Sequence, residues 1–109
     1  MSDYTVRITR QAREQLREVR VYIANKLLAP AAAGNTVRSL RAEMASLRDM
    51  PYRIKPVDEE PWHSEGVRKT RVGNYYIYFW IDEATKRVQI TAVVYVRRDQ
   101  EKVLQQMEM

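Results

Sequence analysis

The side chains in this chain with most chemistry to offer are Lys69, Arg71, Tyr76, Tyr78, Trp80, Tyr95, Arg97 and Arg98. All lie in one stretch, VRKTRVGNYYIYFWIDEATKRVQITAVVYVRR, residues 67–98. A guanidinium group offers paired N–H donors that match phosphate and carboxylate oxygens. Aromatic rings stack on bases or take a cation on their face. Gathered on one surface, these residues would make a site for nucleic acid or for an acidic protein segment. Separated, they are ordinary parts of a sheet.

Strand pairing decides between the two. Gly73-Asn74 is a two-residue hairpin signal, because both residues tolerate the positive φ of a tight turn. The polar run 82–87 is a longer connection, after which apolar residues resume at Val88. Three successive antiparallel strands follow, at about 66–72, 75–81 and 87–96. The tight turn sets Val72 opposite Tyr75, Arg71 opposite Tyr76, Thr70 opposite Ile77, Lys69 opposite Tyr78 and Arg68 opposite Phe79. One face then carries Thr70, Val72, Tyr75, Ile77, Phe79 and Ile81, which suits a core. The other carries Lys69, Arg71, Tyr76, Tyr78 and Trp80. On the third strand Val88, Ile90, Ala92, Val94 and Val96 alternate with Gln89, Thr91, Val93, Tyr95 and Arg97. Strict alternation buries the first set and adds Tyr95 and Arg97 to the face of cations and aromatics. The structural alternative for Tyr76, Tyr78 and Trp80 is a second small core under a covering loop. For Lys69 and Arg71 it is cross-strand packing on aromatic rings.

The elements that position this stretch come before it. Tyr4, Val6 and Ile8 alternate as a first strand, and Thr9 can cap the helix that follows. Ala12, Leu16, Val19, Ile23 and Leu27 recur at threes and fours, so residues 10–28 read as an amphipathic helix with Arg13, Arg17 and Arg20 on its flank. Pro30 opens a second helix, with Ala33, Val37, Leu40, Met44 and Leu47 on its apolar stripe; Pro51 ends it near Met50. The short connection makes the two an antiparallel hairpin. Their stripes need a partner, and the face with Ile77, Phe79, Ile90 and Val94 is the continuous one. Residues 52–65 read as an ordered loop anchored by Trp62. Asp99 can cap a short last helix with Val103, Leu104 and Met107 inward.

Composition narrows the chemistry. With 109 residues the chain reads as one domain, 1–109, and with 19 basic against 14 acidic residues it carries a net charge of +5. That balance points to nucleic acid or an acidic protein partner. No cysteine is present and His63 is the only histidine, so no metal site or cofactor is expected. His63 lies among Asp58, Glu59, Glu60 and Glu65, which invites an acid–base reading; a surface loop with a capping histidine is the plainer one. No apolar run approaches the roughly 20 residues that span a bilayer, and the N-terminus lacks a signal-peptide pattern. The expected location is the cytoplasm, with no membrane partner.

Three segments carry a family resemblance. YTVRITRQAREQLREVRVYIA, LAPAAAGNTVRSLRAEMASLRDMP, and GVRKTRVGNYYIYFWID followed by VVYVRRD resemble the RelE/ParE superfamily of bacterial toxins from type II toxin–antitoxin modules. The resemblance covers nearly the whole chain. It implies an α+β fold with a small antiparallel sheet: strand, helix hairpin, three-strand meander, short C-terminal helix. It also implies a cognate antitoxin, acidic and partly disordered, and a target that is either mRNA on the ribosome or DNA gyrase. In the ribonuclease branch the ribose 2′-OH attacks the adjacent phosphate, which needs help with deprotonation and cations for the developing charge. There Lys69, Arg71 and Arg97 correspond to basic catalytic residues, and Tyr95 stands where many members have a histidine. Tyr76, Tyr78, Trp80 and Arg98 would bind nucleic acid or antitoxin. The chain departs from that branch at Tyr76, where an arginine is usual, and at Val103, Leu104 and Gln105, where a catalytic aromatic or histidine is usual. A tyrosine with a pKa near 10 is a poor base at neutral pH, and VVYVRRDQEKVL looks more like the ParE side. The leading expectation is a ribosome-dependent endoribonuclease, an mRNA interferase. The alternatives are a non-catalytic inhibitor of DNA gyrase and a toxin of weak or lost activity that mainly binds its antitoxin.

Overall fold

The structure, a computed structural model, describes residues 3–109. Strand β1, Thr5–Ile8, leads into helix α1, Arg10–Val21, at Thr9, whose hydroxyl accepts from the Ala12 backbone N–H at 3.3 Å. Helix α2, Pro30–Ser46, returns antiparallel and begins on the expected proline. Strands β2, Arg68–Val72, β3, Tyr75–Asp82, and β4, Arg87–Tyr95, form the meander, and α3, Gln100–Gln106, closes the chain. The sheet order is β1-β4-β3-β2. The architecture is the α+β arrangement the sequence implies, and none of the described helices is long and apolar enough to cross a membrane.

The β2–β3 register is the one dictated by the two-residue turn, from Arg68 opposite Phe79 to Val72 opposite Tyr75. Gly73 takes the positive φ (57°) that makes this turn possible. Two sheet expectations need correction. The sheet is mixed, because β1 joins β4 in parallel, Val6 beside Val88 and Ile8 beside Ile90. The α1–α2 hairpin and the β2–β3 hairpin intervene between these two strands, which gives the crossover that parallel pairing requires. Strict alternation on β4 also fails. Tyr78 pairs with Ala92 and Phe79 with Ile90, leaving Thr91 as the extra residue of a bulge. The buried Thr91 hydroxyl satisfies the Tyr78 carbonyl at 3.2 Å. Beyond the bulge every side chain changes face. Val93 therefore joins the helices, whereas Ala92 and Val94 leave them.

The helices also end earlier than their periodicity suggests. After Val21 the backbone widens into one π turn, Tyr22–Lys26, and Leu28 adopts a positive φ of 51°. Leu27, expected on the buried stripe, is thereby exposed. Helix α2 stops at Ser46, and Met50 turns left-handed before Pro51. Arg53 Nη1 donates to the Asp49 carbonyl at 2.7 Å, which holds the turn that follows the helix.

Two cores result. The larger lies between the helix hairpin and the sheet, with Ala12, Leu16, Val19, Ile23, Ala33, Val37, Leu40, Met44 and Leu47 against Ile77, Phe79, Val88, Ile90 and Val93. Each fully buried aliphatic or aromatic side chain there contributes about 1.5–3 kcal/mol relative to exposure. The smaller lies on the opposite face. Val57, Val67, Tyr78, Ala92, Val94 and Leu104 are buried in it, with Trp62, Tyr76, Val103 and Met107 packed around them.

Candidate functional site

Lys69 and Arg71 sit on β2, an edge strand, and point away from the helices. Thr70 between them points the other way, its hydroxyl donating to Glu43 Oε2 of α2 at 2.7 Å. Lys69 Nζ stands 4.4 Å from the centre of the Tyr76 ring and 6.0 Å from that of Tyr78, a spacing in the cation–π range. Arg71 is exposed, and its Nε donates to the Gly73 carbonyl at 2.8 Å, holding the side chain along the hairpin tip.

Arg97 and Arg98 lie in the turn after β4. The Val96 backbone N–H donates to the Asn74 carbonyl at 2.9 Å, so this turn rests against the same hairpin tip. Gln100 secures it. Its Nε2 lies 3.2 Å from the Tyr95 carbonyl, 3.3 Å from that of Val96 and 2.7 Å from that of Arg98. Its Oε1 accepts from the Tyr78 hydroxyl at 2.6 Å. The cations of β2 and those of the last turn thus converge on the hairpin end of the sheet. No carboxylate lies within 4 Å of Lys69, Arg71, Arg97 or Arg98 among the described residues, where the ion pairs are Glu14–Arg17, Arg48–Asp49 and Glu83–Lys86.

The aromatic half of the expected site is arranged differently. Tyr78 is fully buried under α3 rather than open for base stacking, and burial pushes its hydroxyl pKa well up, with the charge of Glu59 and the neighbouring Tyr76 adding to the rise. Tyr76 and Trp80 are half-buried, and the Trp80 indole N–H donates to the Met109 carbonyl at 3.2 Å. Tyr78 and Tyr76 therefore belong to the second core that the sequence left open as an alternative, whereas Trp80 lies outside it. Tyr95 lies on the other face altogether, because the bulge at Thr91 shifts the alternation. It pairs with Tyr75, and the two rings meet edge to face at 5.9 Å.

On that face a groove of about 680 Å³ runs between α1, its π turn and the end of the sheet. Val19, Val21, Tyr22, Tyr75, Val93 and Tyr95 give it an apolar and aromatic lining, and Arg17, Lys26 and Arg98, with the single carboxylate Glu18, bring charge to it. Burial, followed by the neighbouring phenols of Tyr95 and Tyr22, raises the Tyr75 pKa. Gln15 helps shape one wall, its Oε1 accepting from the Val93 backbone N–H at 2.8 Å, where β1 no longer covers β4. Sequence reasoning missed Gln15, Gln100 and Tyr22. Gln15 and Gln100 are long-range clamps with no local signature. Tyr22 lies off the apolar stripe of α1, so its periodicity gave no reason to single it out.

The acidic loop stays apart from the cations. His63 Nδ1 meets the Val57 carbonyl at 2.8 Å, the structural role expected of a loop histidine. The Glu60 carboxylate accepts from the backbone N–H and hydroxyl of Ser64, at 2.9 and 2.8 Å, and these bonds lower its pKa. The described residues contain no cluster of three or more metal-ligating side chains.

What this arrangement offers is electrostatic recognition on one end of the sheet and apolar recognition in the tyrosine groove. The model of the family of ParE toxins of type II toxin–antitoxin systems, parDE, matches residues 6–100. No curated protein matches the chain. Among solved structures, a chromosomal ParDE toxin–antitoxin system from P. aeruginosa shares 19% identity over 87% of this chain and 98% of that one, with a TM-score of 0.71. The toxin–antitoxin complex RelBE2 from Mycobacterium tuberculosis shares 26% identity over 85% and 98%, with a TM-score of 0.56. A mutant of E. coli toxin RelE in the free state shares 12% identity over 94% and 93%, with a TM-score of 0.65.

Proposed function

The chain belongs to the family of ParE toxins of type II toxin–antitoxin systems, and we propose that it arrests growth by binding DNA gyrase rather than by cutting message. The observation that carries this reading is the division of the two faces. Lys69 and Arg71 project on the α3 side of the sheet, whereas Tyr95, which stands where the ribonuclease branch often has a histidine, lies on the helix side beside Tyr75. Tyr78, the ring nearest Lys69 after Tyr76, is sealed under α3 with its hydroxyl committed to Gln100. In-line cleavage by the 2′-OH requires a proton acceptor and phosphate-binding cations around one atom. Here the cations stand without the acceptor, an arrangement suited to docking.

The cognate antitoxin has a complementary site in the groove of Tyr22, Tyr75 and Tyr95. An amphipathic segment would set apolar side chains between the rings and carboxylates against Lys26 and Arg98, where a bidentate pair with the arginine is the strong one.

Induction of the chain in growing cells tests the reading. Incorporation of labelled thymidine should fall before that of labelled methionine, and co-expression of the antitoxin should restore both. If methionine incorporation collapses first, the message is the target and the mRNA-interferase reading replaces this one.

A further inference from the structure

Unpaired arginines also gather on the opposite edge of the sheet from the β2 cations. Strand β1 is the edge strand there. In its parallel register with β4, Thr5 lies beside Arg87 and Arg7 beside Gln89. Val6 and Ile8 face the larger core, so Arg7 and Arg87 project from the face away from α1 and α2. The offset of two residues along the strand and one strand across sets their Cα atoms roughly 8 Å apart. Arg13 reaches the same edge from α1, and Thr5, Val6, Arg7, Ile8, Arg13 and Arg87 line a shallow cleft.

All three arginines are exposed, and none has a carboxylate within 4 Å among the described residues. Asp82 stands opposite Arg87 in the β3–β4 register without closing such a pair. The cross-strand row inward from Arg7 continues through Gln89 to the half-buried Trp80. Along α1, Arg10 and Arg20 extend the exposed cations beyond Arg13, over about 15 Å of helix. Three like charges from three elements repel one another, and an anion is what offsets that repulsion.

We propose that this arginine cleft at the β1 edge binds the phosphodiester backbone of nucleic acid. The lining argues for phosphate over an acidic peptide. Its two apolar residues, Val6 and Ile8, are already packed into the larger core, so a peptide would find no anchor. The tyrosine groove, by contrast, provides one. Guanidinium forks match phosphate oxygens, and each neutralised phosphate releases counterions, which gives the contact a salt signature. The inference is independent of the gyrase reading, since it concerns the chain alone.

The test is fluorescence anisotropy of the full chain with short fluorescein-labelled DNA, single-stranded and duplex, between about 50 and 200 mM salt. The cleft predicts binding to at least one form, and the two arms identify which. The variant Arg7→Ala/Arg13→Ala/Arg87→Ala should flatten the slope of log affinity against log salt by about 2 to 3. Arg7→Lys/Arg13→Lys/Arg87→Lys should keep the slope, because the charge count is unchanged. If the triple alanine variant does not fold by circular dichroism, Arg87→Ala alone should still lower the slope by about 1. The control Arg38→Ala/Arg41→Ala/Arg48→Ala removes equal charge from α2 and the turn that follows it. An equal loss in the control would mean diffuse attraction and overturn the proposal. So would no binding at the low-salt end, or equal binding of poly-glutamate with the same arginine dependence.

Discussion

Leu104→Ala probes the layer that closes the sheet. Leu104 is 2% exposed and is the one fully buried side chain of α3, whose seven residues span only about 10 Å. A helix this short is not stable by itself in water. It is held by Leu104, by the Asp99 cap on the Lys102 backbone N–H, and by the Tyr78–Gln100 hydrogen bond. The cap and the bond contribute about 1 kcal/mol each. Truncating a buried leucine costs about 2–5 kcal/mol. Removing it therefore takes away the one fully buried anchor of residues 99–109, while the larger core shares no buried residue with the smaller one. Hydrogen exchange read by mass spectrometry should show protection in the 99–109 peptides fall by about 30- to 4,000-fold, the same energy expressed as an opening equilibrium. Peptides from α1 and the centre of β3 should change far less. Unchanged protection in 99–109, or an equal loss throughout α1 and β3, would refute the view of α3 as a separately fastened layer.

Tyr78→Phe should lower the melting temperature by several degrees, since it deletes a hydrogen bond worth about 1 kcal/mol and strands the Gln100 oxygen; an unchanged melt would mean the hydroxyl is free for function. Tyr95→Phe should leave both the melt and growth inhibition intact, because its ring acts by packing on Tyr75; loss of inhibition without loss of fold would restore a proton-transfer role. Glu83 accepts from Tyr4 and Tyr52 at 2.9 and 2.6 Å and pairs with Lys86, and the bonds from Lys86 first, then Tyr52 and Tyr4, hold its pKa down at about 2. A depressed folded pKa contributes stability that is complete above the unfolded value of 4.5 and is lost as pH falls through about 2. The urea midpoint of the wild type should thus decline more than that of Glu83→Gln between pH 5 and pH 2, and parallel declines would remove this clasp from the account. Lys26→Ala with Arg98→Ala should weaken binding of an acidic antitoxin and flatten its salt dependence, as measured by titration calorimetry; unchanged affinity would exclude the tyrosine groove as its docking surface.

Much of the fold was legible because local signals agreed. The Gly73-Asn74 turn dictated the β2–β3 register, Thr9 and Asp99 dictated two helix starts, and the stripe from Ala33 to Leu47 dictated the buried face of α2. What stayed hidden depends on contacts distant in sequence. The bulge at Thr91 reflects a hydroxyl that can satisfy the Tyr78 carbonyl once the strands are paired, and nothing local announces it. That single extra residue moved Tyr95 to the helix side and Val94 to the smaller core. The parallel pairing of β1 is likewise a property of the whole path of the chain. For the site, alternation gathered Lys69, Arg71, Tyr76, Tyr78 and Trp80 on one face correctly. It could not say that α3 would bury Tyr78 and leave the cations outside.

The most direct measurement of the central claim is supercoiling of relaxed plasmid by purified gyrase with increasing amounts of the purified chain, run beside message integrity on translating ribosomes. The account predicts that supercoiling is inhibited while ribosome-bound message stays intact. Cleaved message with gyrase unaffected would contradict it.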